Sequence, residues 1–480
     1  MSLFDNYDSS AFYDELIKSD GSARAGCNQT IKHLKKLGSV NLADRQHASD
    51  ITIKDMGVSF TVYSDGKNID RAWPLDIIPR IITLNEWQQI ESGLIQRMLA
   101  LNIFIDDIYH EKKILEDKVV PKSLILGSPN YRKECEQVNL KFNVWAHICG
   151  SDLVRDDSGD MFVLEDNLRV PSGVSYMLEN RSVSKRINPD LFSNQNVIPV
   201  SDYPAQLLSM LEALSPRYID APQVVVLTPG IFNSAYFEHA YLAQQMGIEL
   251  VEGSDLLVKE NNNVYMRTVE GLKRVDVIYR RIDDLFIDPE VFNKTSVIGA
   301  PGLFRAWKAG KVALANAPGC GVADDKVVYS YMPDIIKYYL DEDPIIANVP
   351  TYRCNDKKHQ EYVLSNLSKL VVKPANESGG YGMLVGPFAS KSELSKFKSL
   401  IKENPRNYIA QPTLKLSTVP TFSNGGIAPR HVDLRPFSLM SKNNYVTPGG
   451  LTRVALREGS LVVNSSQGGG SKDTWIVDSK

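Results

Sequence analysis

SDLVRDDSGDMFVLEDN, residues 151–167, consists of two apolar runs around the polar turn cluster Asp156–Asp160. That pattern predicts a β-hairpin. With Ser158 and Gly159 as the central turn residues, Asp157 faces Asp160, Val154 faces Val163 and Leu153 faces Leu164. Asp152 then lands opposite Glu165. Directly opposed residues hold their Cβ atoms about 4.5–5.5 Å apart. Asn167, two residues beyond Glu165, shares its face. Two carboxylates and a carboxamide therefore converge, and anions that close repel unless a cation or proton lies between them. Hard oxygen ligands of this kind suit Mg²⁺. A solvated hairpin bearing ordinary surface acids is the competing interpretation, but Val, Leu, Phe and Met occupy both faces. The register itself depends on the turn. Downstream, Arg169, Ser172 and Ser175 are candidates to hold phosphate or substrate oxygen, with loop capping the alternative for the two serines.

The chain around this hairpin has 480 residues, 43% of them hydrophobic, which by length suggests about three domains. Lys and Arg number 54 against 57 Asp and Glu, a net charge of −3. Such a balance excludes a strongly basic nucleic-acid coat and an acidic disordered tail. Five cysteines (27, 135, 149, 320 and 354) include no C-x-x-C spacing, so neither a disulfide framework nor a zinc ribbon is expected. The N-terminus lacks the basic and apolar regions of a secretory signal, and no run reaches the ~18 apolar residues of a membrane span. A cytoplasmic protein without membrane or nucleic-acid partners is expected, with protein partners left open.

Residues 1–50 read as short helices wrapped on a larger body. From Thr83 to Asp117 a helix is predicted, with Asn85 and Gln88 as a capping box. Trp87, Ile90, Leu94, Met98, Leu101, Ile105 and Ile108 form its buried stripe. Gln223–Thr228, a helix over 234–246 ended by Gly247, and Ile248–Glu252 read as β-α-β, without a G-x-G-x-x-G.

Beyond Lys369, strands alternate with glycine-rich turns. VVKPANESGGYGMLVGP (371–387) places Gly379, Gly380 and Gly382 between two apolar strands. It is not a Walker A loop, because no lysine follows the glycines and the next segment is a strand. Tight hairpins explain most such turns, but Lys373 sits inside an apolar run, where a lysine needs an anionic partner. SQGGGSKDT (465–473) also fails the Walker pattern; a flexible loop and a second lid both fit it. In RHVDLRPF (430–437), His431, Asp433 and Arg435 share a face, and Arg453 lies in another strand. Arginines so placed bind phosphate oxygens or pair with aspartate on a solvated face.

Taken together, these segments resemble the circularly permuted ATP-grasp family (type 2), within its glutathionylspermidine-synthase-like branch. The strings that carry the likeness include LEDNLRVPSG (164–173), LTPGIFNSAYFEHAYLAQQMG (227–247), GCGVADDKVVYSYMPDI (319–335), HVDLRPF (431–437) and GGGSKDTW (468–475). The likeness spans roughly residues 65–477. In ordinary ATP-grasp chains the metal-binding strand follows the glycine loop; here it comes first. The implied fold is mixed α/β, α+β in its core: a circularly permuted ATP-grasp with an inserted pre-ATP-grasp-like α/β domain. Expected parts are a helical N-terminal region (1–120), the metal hairpin (121–220), the small α/β domain (221–320) and an ATP-binding lobe (321–480).

The resemblance implies Mg²⁺ on Asp152, Glu165 and Asn167, and ATP phosphates on Lys326 and Lys373. Asn376, Ser378, Gly379, Gly380, Tyr381 and Gly382 would form the phosphate-covering loop, and Gln411 would sit at the adenine hinge. Arg435, Arg453 and, more weakly, Asp433 belong to the phosphate side. Arg453, Lys373 and Arg169 form the candidate catalytic set. The implied reaction is ATP-dependent ligation of a small-molecule or peptide carboxylate to an amine through an acylphosphate. A non-catalytic ATP-binding scaffold and a small-molecule kinase stand beside it, since fold does not fix reaction class. Glutathionylspermidine synthases carry an arginine two residues before the metal aspartate. Here that position is Gly150, and Arg155 belongs to the opposite face, so that enzyme's substrates are not carried over.

Overall fold

The computed structural model describes residues 3–5, 7–64, 67–375, 382–423, 425–457, 459, 460, 463 and 469–478, and of 61–70 the backbone. Its centre is a ten-stranded sheet among these residues. The principal order is Ala347–Asn348, Met161–Asn167, Ile148–Arg155, Gly426–Arg435, Leu451–Val454, Gly470–Val477 and Leu75–Thr83. Gly470–Val477 pairs parallel with Leu75–Thr83, so a late strand closes against an early one.

The hairpin forms, with a correction to its register. Gly150, Ser151 and Asp152 face Asn167, Asp166 and Glu165 as expected, but Leu153 faces Val163 and Val154 faces Phe162. The expected pairings of Val154 with Val163 and Leu153 with Leu164 are thus one residue out. The register shifts between Asp152 and Leu153, leaving Leu164 as the extra residue of a bulge. The turn is closed by Asp156 rather than Asp157: its N–H donates to the Asp160 carbonyl, while its carboxylate accepts from Ser158 and Asp160 N–H. A bulge re-aims side chains. With strict alternation Val163 and Glu165 would share a face. The bulge sends Val163 into an apolar cluster with Trp87, Leu94, Leu153 and Leu434, and leaves Glu165 beside Asp152 on the other face.

Trp87 and Leu94 come from the helix Leu84–Tyr109, whose predicted stripe is buried throughout. Its cap is Thr83, which accepts from the Glu86 N–H at 3.4 Å, not Asn85, and the helix ends at Tyr109 rather than Asp117. In place of several short N-terminal helices there is one long helix, Asn28–Asp55, broken where Gly38 takes φ 71°.

Among the described residues four smaller sheets accompany the centre, and two of them bear on the site. Ala313–Ala315, Val277–Arg280, Val224–Leu227 and Glu249–Val251 form an all-parallel sheet containing the expected β-α-β unit, with Gly247 at φ 67° ending the helix Tyr236–Met246. Tyr352–Arg353, Tyr408–Pro412, Leu370–Pro374 and Leu384–Val385 form an antiparallel sheet. The helices Lys357–Asn366 and Lys391–Glu403 cover one of its faces, burying Val363, Leu370, Val372, Ile401 and Ala410. Of the last glycine-rich segment, residues 465–468 lie outside the described residues and 470–474 are buried strand rather than loop or lid: the Lys472 ammonium donates to Asp76 and to the carbonyls of Ile78 (3.1 Å) and Pro420 (2.9 Å). All five cysteines are free and buried. No helix among the described residues is long and apolar enough to cross a membrane.

Candidate active site

The face of the central sheet that carries Asp152 gathers charge from three neighbouring strands. Arg435 donates to both Asp152 oxygens, Nε at 2.5 Å and Nη2 at 2.8 Å. Arg453 donates to Asp152 Oδ2 at 2.6 Å and through Nε to Asp433 at 2.9 and 3.0 Å. The register explains this meeting: Asp433 faces Arg453 across the ladder, and Leu434 faces Leu153 on the opposite side. Burial pushes the Asp152 carboxyl up, but Arg435 and Arg453 outweigh it and hold the group well below the usual range. For Asp433 burial prevails over Arg453, and its carboxyl is raised.

Glu165 is paired with the Lys326 ammonium at 3.1 Å. Asn167 donates its amide N–H to the Gly150 carbonyl at 3.0 Å, and among the described residues Oδ1 accepts no hydrogen bond, which leaves it for a ligand. Among the described residues no cluster of three or more His, Cys, Asp or Glu is placed to hold a metal ion. A metal here would therefore need the Asn167 carboxamide beside Glu165. The donors are hard oxygens, one or two carboxylates and an amide, which fits Mg²⁺; Asp152 enters such a set through oxygens already shared with two guanidinium groups.

Lys326 opens a short helix, Lys326–Tyr329, capped by the Asp325 carboxylate, and its N–H donates to the Ala375 carbonyl at 3.0 Å. That bond ties the helix to the end of the strand bearing Lys373. Opposed residues of an antiparallel ladder share a face, and Lys373 faces Ile409 while Val371 faces Gln411. Lys373 and Gln411 thus lie on the side of the antiparallel sheet away from its helices. Gln411 Nε2 donates to Thr351 Oγ1 at 3.0 Å, joining the incoming and outgoing chains of this lobe. Burial lowers the Lys373 ammonium from 10.5 to about 8, with Glu165 opposing and Lys326 reinforcing the shift. Burial also lowers Lys326, but Glu165 outweighs it and the group is raised. Among the described residues Arg435, Arg453 and Lys326 each have a carboxylate partner, whereas Lys373 has none within ion-pair distance, which leaves it for an added anion.

The remaining candidates divide. Arg169 is held by Asp324 at 2.6 Å and Asp283 at 3.3 Å, against the parallel sheet. Ser172 accepts from Arg281 at 2.5 Å, and its carbonyl accepts from Arg435 at 3.2 Å, so it borders the cluster. Ser175 is fully buried and donates to Glu238, which also accepts from the Gly173 and Ser175 N–H groups; its hydroxyl thus faces protein. Gly382 has φ 66°, while Asn376, Ser378, Gly379, Gly380 and Tyr381 lie outside the described residues. Arg155 points away, to Glu15, Glu86 and the Gly159 carbonyl. A Cβ on Gly150 would stand 3.2 Å from Arg435 Cδ, so the missing side chain at 150 is the slot in which Arg435 lies. Asp324, Glu238 and Arg281 join the site without being among the candidate residues of the sequence. The acids preceding Lys326 offered a signal for Asp324; nothing local marked the other two.

A hairpin with two carboxylates and an amide, set ahead in the chain of an antiparallel sheet presenting Lys373 and Gln411, is the order of parts expected of a circularly permuted ATP-grasp chain. The chain belongs to the circularly permuted ATP-grasp type 2 family, whose model matches residues 79–455. It is 54% identical over 473 residues to an uncharacterized protein of Synechocystis sp., covering 98% of each chain. An uncharacterized protein of Mycobacterium tuberculosis is 47% identical over 480 residues, covering 99% of this chain and 86% of that protein. A putative glutamate–cysteine ligase of Frankia alni is 41% identical over 471 residues, covering 97% of this chain but 54% of that protein. In structure, the chain is similar to an apo glutathione synthetase-like effector from Globodera pallida, with TM-score 0.60 and 14% identity over 90% of this chain and 96% of the other, a likeness of fold.

Proposed function

We propose that the protein is an ATP-dependent carboxylate–amine ligase that works through an acylphosphate. The carrying observation is the meeting of Glu165 and Lys326 with Asp152, Arg435 and Arg453 on one face, beside Lys373 of the antiparallel lobe. Glu165 and Asn167, with Asp152, would hold Mg²⁺, which when bound neutralises phosphate charge. Lys326 and Lys373 bind phosphate oxygens. Gln411, fixed by Thr351, lies at the adenine end. The substrate carboxylate attacks the γ-phosphorus, ADP leaves, and the amine then displaces phosphate from the acylphosphate to form the amide. Arg453 and Arg435 meet the negative charge that develops on the transferring group; being already oriented by Asp152 and Asp433, they need little reorganisation. No nucleophilic serine or cysteine is required.

The Frankia name supports a ligase but belongs to a protein nearly twice this length, so neither glutamate nor cysteine is assigned as substrate. The test is an ADP-release screen with Mg·ATP over amino acids, short peptides and polyamines, singly and in pairs. ADP release that requires both an acid and an amine, with an amide product by mass spectrometry, supports the ligase. A stable phosphorylated product contradicts it.

A further inference from the structure

The lobe that carries Lys373 and Gln411 leaves the central sheet after Ala347–Asn348 and returns through residues 413–417 to the strand Thr418–Ser423. The return chain is held by residues Tyr13–Glu15. Thr418 N–H donates to the Tyr13 carbonyl and Glu15 N–H to the Thr418 carbonyl, both at 2.9 Å, a short parallel pairing. Ser417 N–H donates to the Arg155 carbonyl at 2.8 Å, and Ser417 Oγ donates to Glu15 Oε1 at 2.6 Å. Glu15 is buried and bridged by Arg80 through two 2.7 Å bonds, with Arg155 at 3.2 Å. Arg80 in turn donates to the Asp433 carbonyl at 3.0 Å. His431 packs edge-on against Phe12 and hydrogen-bonds through Nδ1 to the carbonyls of Leu416 and Ser417. One buried carboxylate thus joins the return chain of the lobe to the strand that bears Asp433 and Arg435.

We propose that Tyr13–Glu15 is a clamp on the hinge of the lobe, and that Glu15 is a positioning residue: it sets the angle at which Lys373 meets Glu165 and Lys326. The proposal rests on the reading of this lobe as the nucleotide-binding one. A hinge fixed near the closed angle raises the fraction of molecules competent to bind; a loosened hinge lowers it and weakens apparent affinity in proportion, while the rate from the closed state is unchanged.

The test uses the full chain with Ser417→Ala, which removes one bond from the clamp, and Glu15→Gln, which removes its charge; far-UV circular dichroism confirms that each is folded. Hydrogen–deuterium exchange without nucleotide should show the Ser417 and Thr418 amides exchanging about tenfold faster. Amides of Val224–Leu227 in the parallel sheet should be unchanged. The Kd for ATP, by calorimetry, and the KM for ATP should rise about tenfold with kcat preserved. Should Glu15→Gln fail to fold, Ser417→Ala decides alone. Unchanged exchange at both amides overturns the clamp. Faster exchange with unmoved KM and Kd overturns the positioning role. If the wild-type protein binds no ATP, the nucleotide reading fails on the wild type itself, whereas exchange at 417 and 418 still decides the clamp.

Discussion

Lys373 should take up a proton when ATP binds. Its ammonium is lowered by burial to about 8, while Lys326 stays raised by its pair with Glu165. At pH 8 about half of the free protein therefore carries a neutral Lys373, at pH 7 about a tenth and at pH 9 about nine-tenths. A phosphate anion beside the lysine favours the charged form and returns its pKa toward the ordinary 10.5. Binding of ATP should then take up about 0.1 proton at pH 7, 0.5 at pH 8 and 0.9 at pH 9. Calorimetric titration in two buffers of different ionisation enthalpy measures this directly, and Lys373→Met should abolish the uptake while weakening binding. For stability the sign follows from a folded pKa below the unfolded one. The cost of charging Lys373 is fully present below pH 8 and is recovered as pH rises from 8 to 10.5. Relief of that cost should make the nucleotide-free Lys373→Met protein more stable at pH 7, by at most about 3 kcal/mol. Equal proton uptake by wild type and variant, or no growth of uptake above pH 7, refutes the reasoning.

Glu165→Ala should abolish Mg·ATP turnover with the fold intact, because the side chain is half-buried and, among the described residues, its one ion pair is with Lys326; unchanged ADP release contradicts its role at the metal. Gly150→Ala puts a methyl 3.2 Å from Arg435 Cδ and should lower kcat about tenfold through a displaced guanidinium, with little change in Tm. Asp473→Ala leaves the buried Arg181 without its carboxylate and Trp475 Nε1 without its acceptor. Urea unfolding should show a loss of about 3 kcal/mol, and a loss under 1 kcal/mol disproves the buried pair.

How far the sequence carried the structure depended on the distance between partners. The facing of Asp152 and Glu165 was legible only because two departures offset each other: the turn closes one residue tighter than a Ser158–Gly159 centre implies, pairing Leu153 with Val163, and the bulge restores the register at Asp152. The bulge at Leu164 was not, since it answers to the helix packing above it: Val163 must enter the cluster around Trp87 while Glu165 faces away. The stripe of the helix Leu84–Tyr109 was plain in its periodicity; its cap fell at Thr83 rather than Asn85, where both residue types are good caps. GGGSKDTW looked like a loop because glycine, serine and charge mark turns. Lys472 and Asp473 are instead paid for by Asp76 and Arg181, hundreds of residues earlier in the chain. Likewise nothing near Glu15 announced Arg80, Arg155 or Ser417, and the ion pairs that hold Asp152 come from strands about 300 residues away. Local grammar exposed the chemistry of the hairpin; long-range pairing decided which charges it meets.

The central claim is that a carboxylate is activated by phosphoryl transfer before the amine arrives. With an acid and amine found by the ADP-release screen, the acid is supplied with ¹⁸O in its carboxylate, and the released phosphate is analysed by mass spectrometry. An acylphosphate route predicts one ¹⁸O in each phosphate and an amide retaining the other. Phosphate free of label, formed at the same rate as the amide, contradicts it.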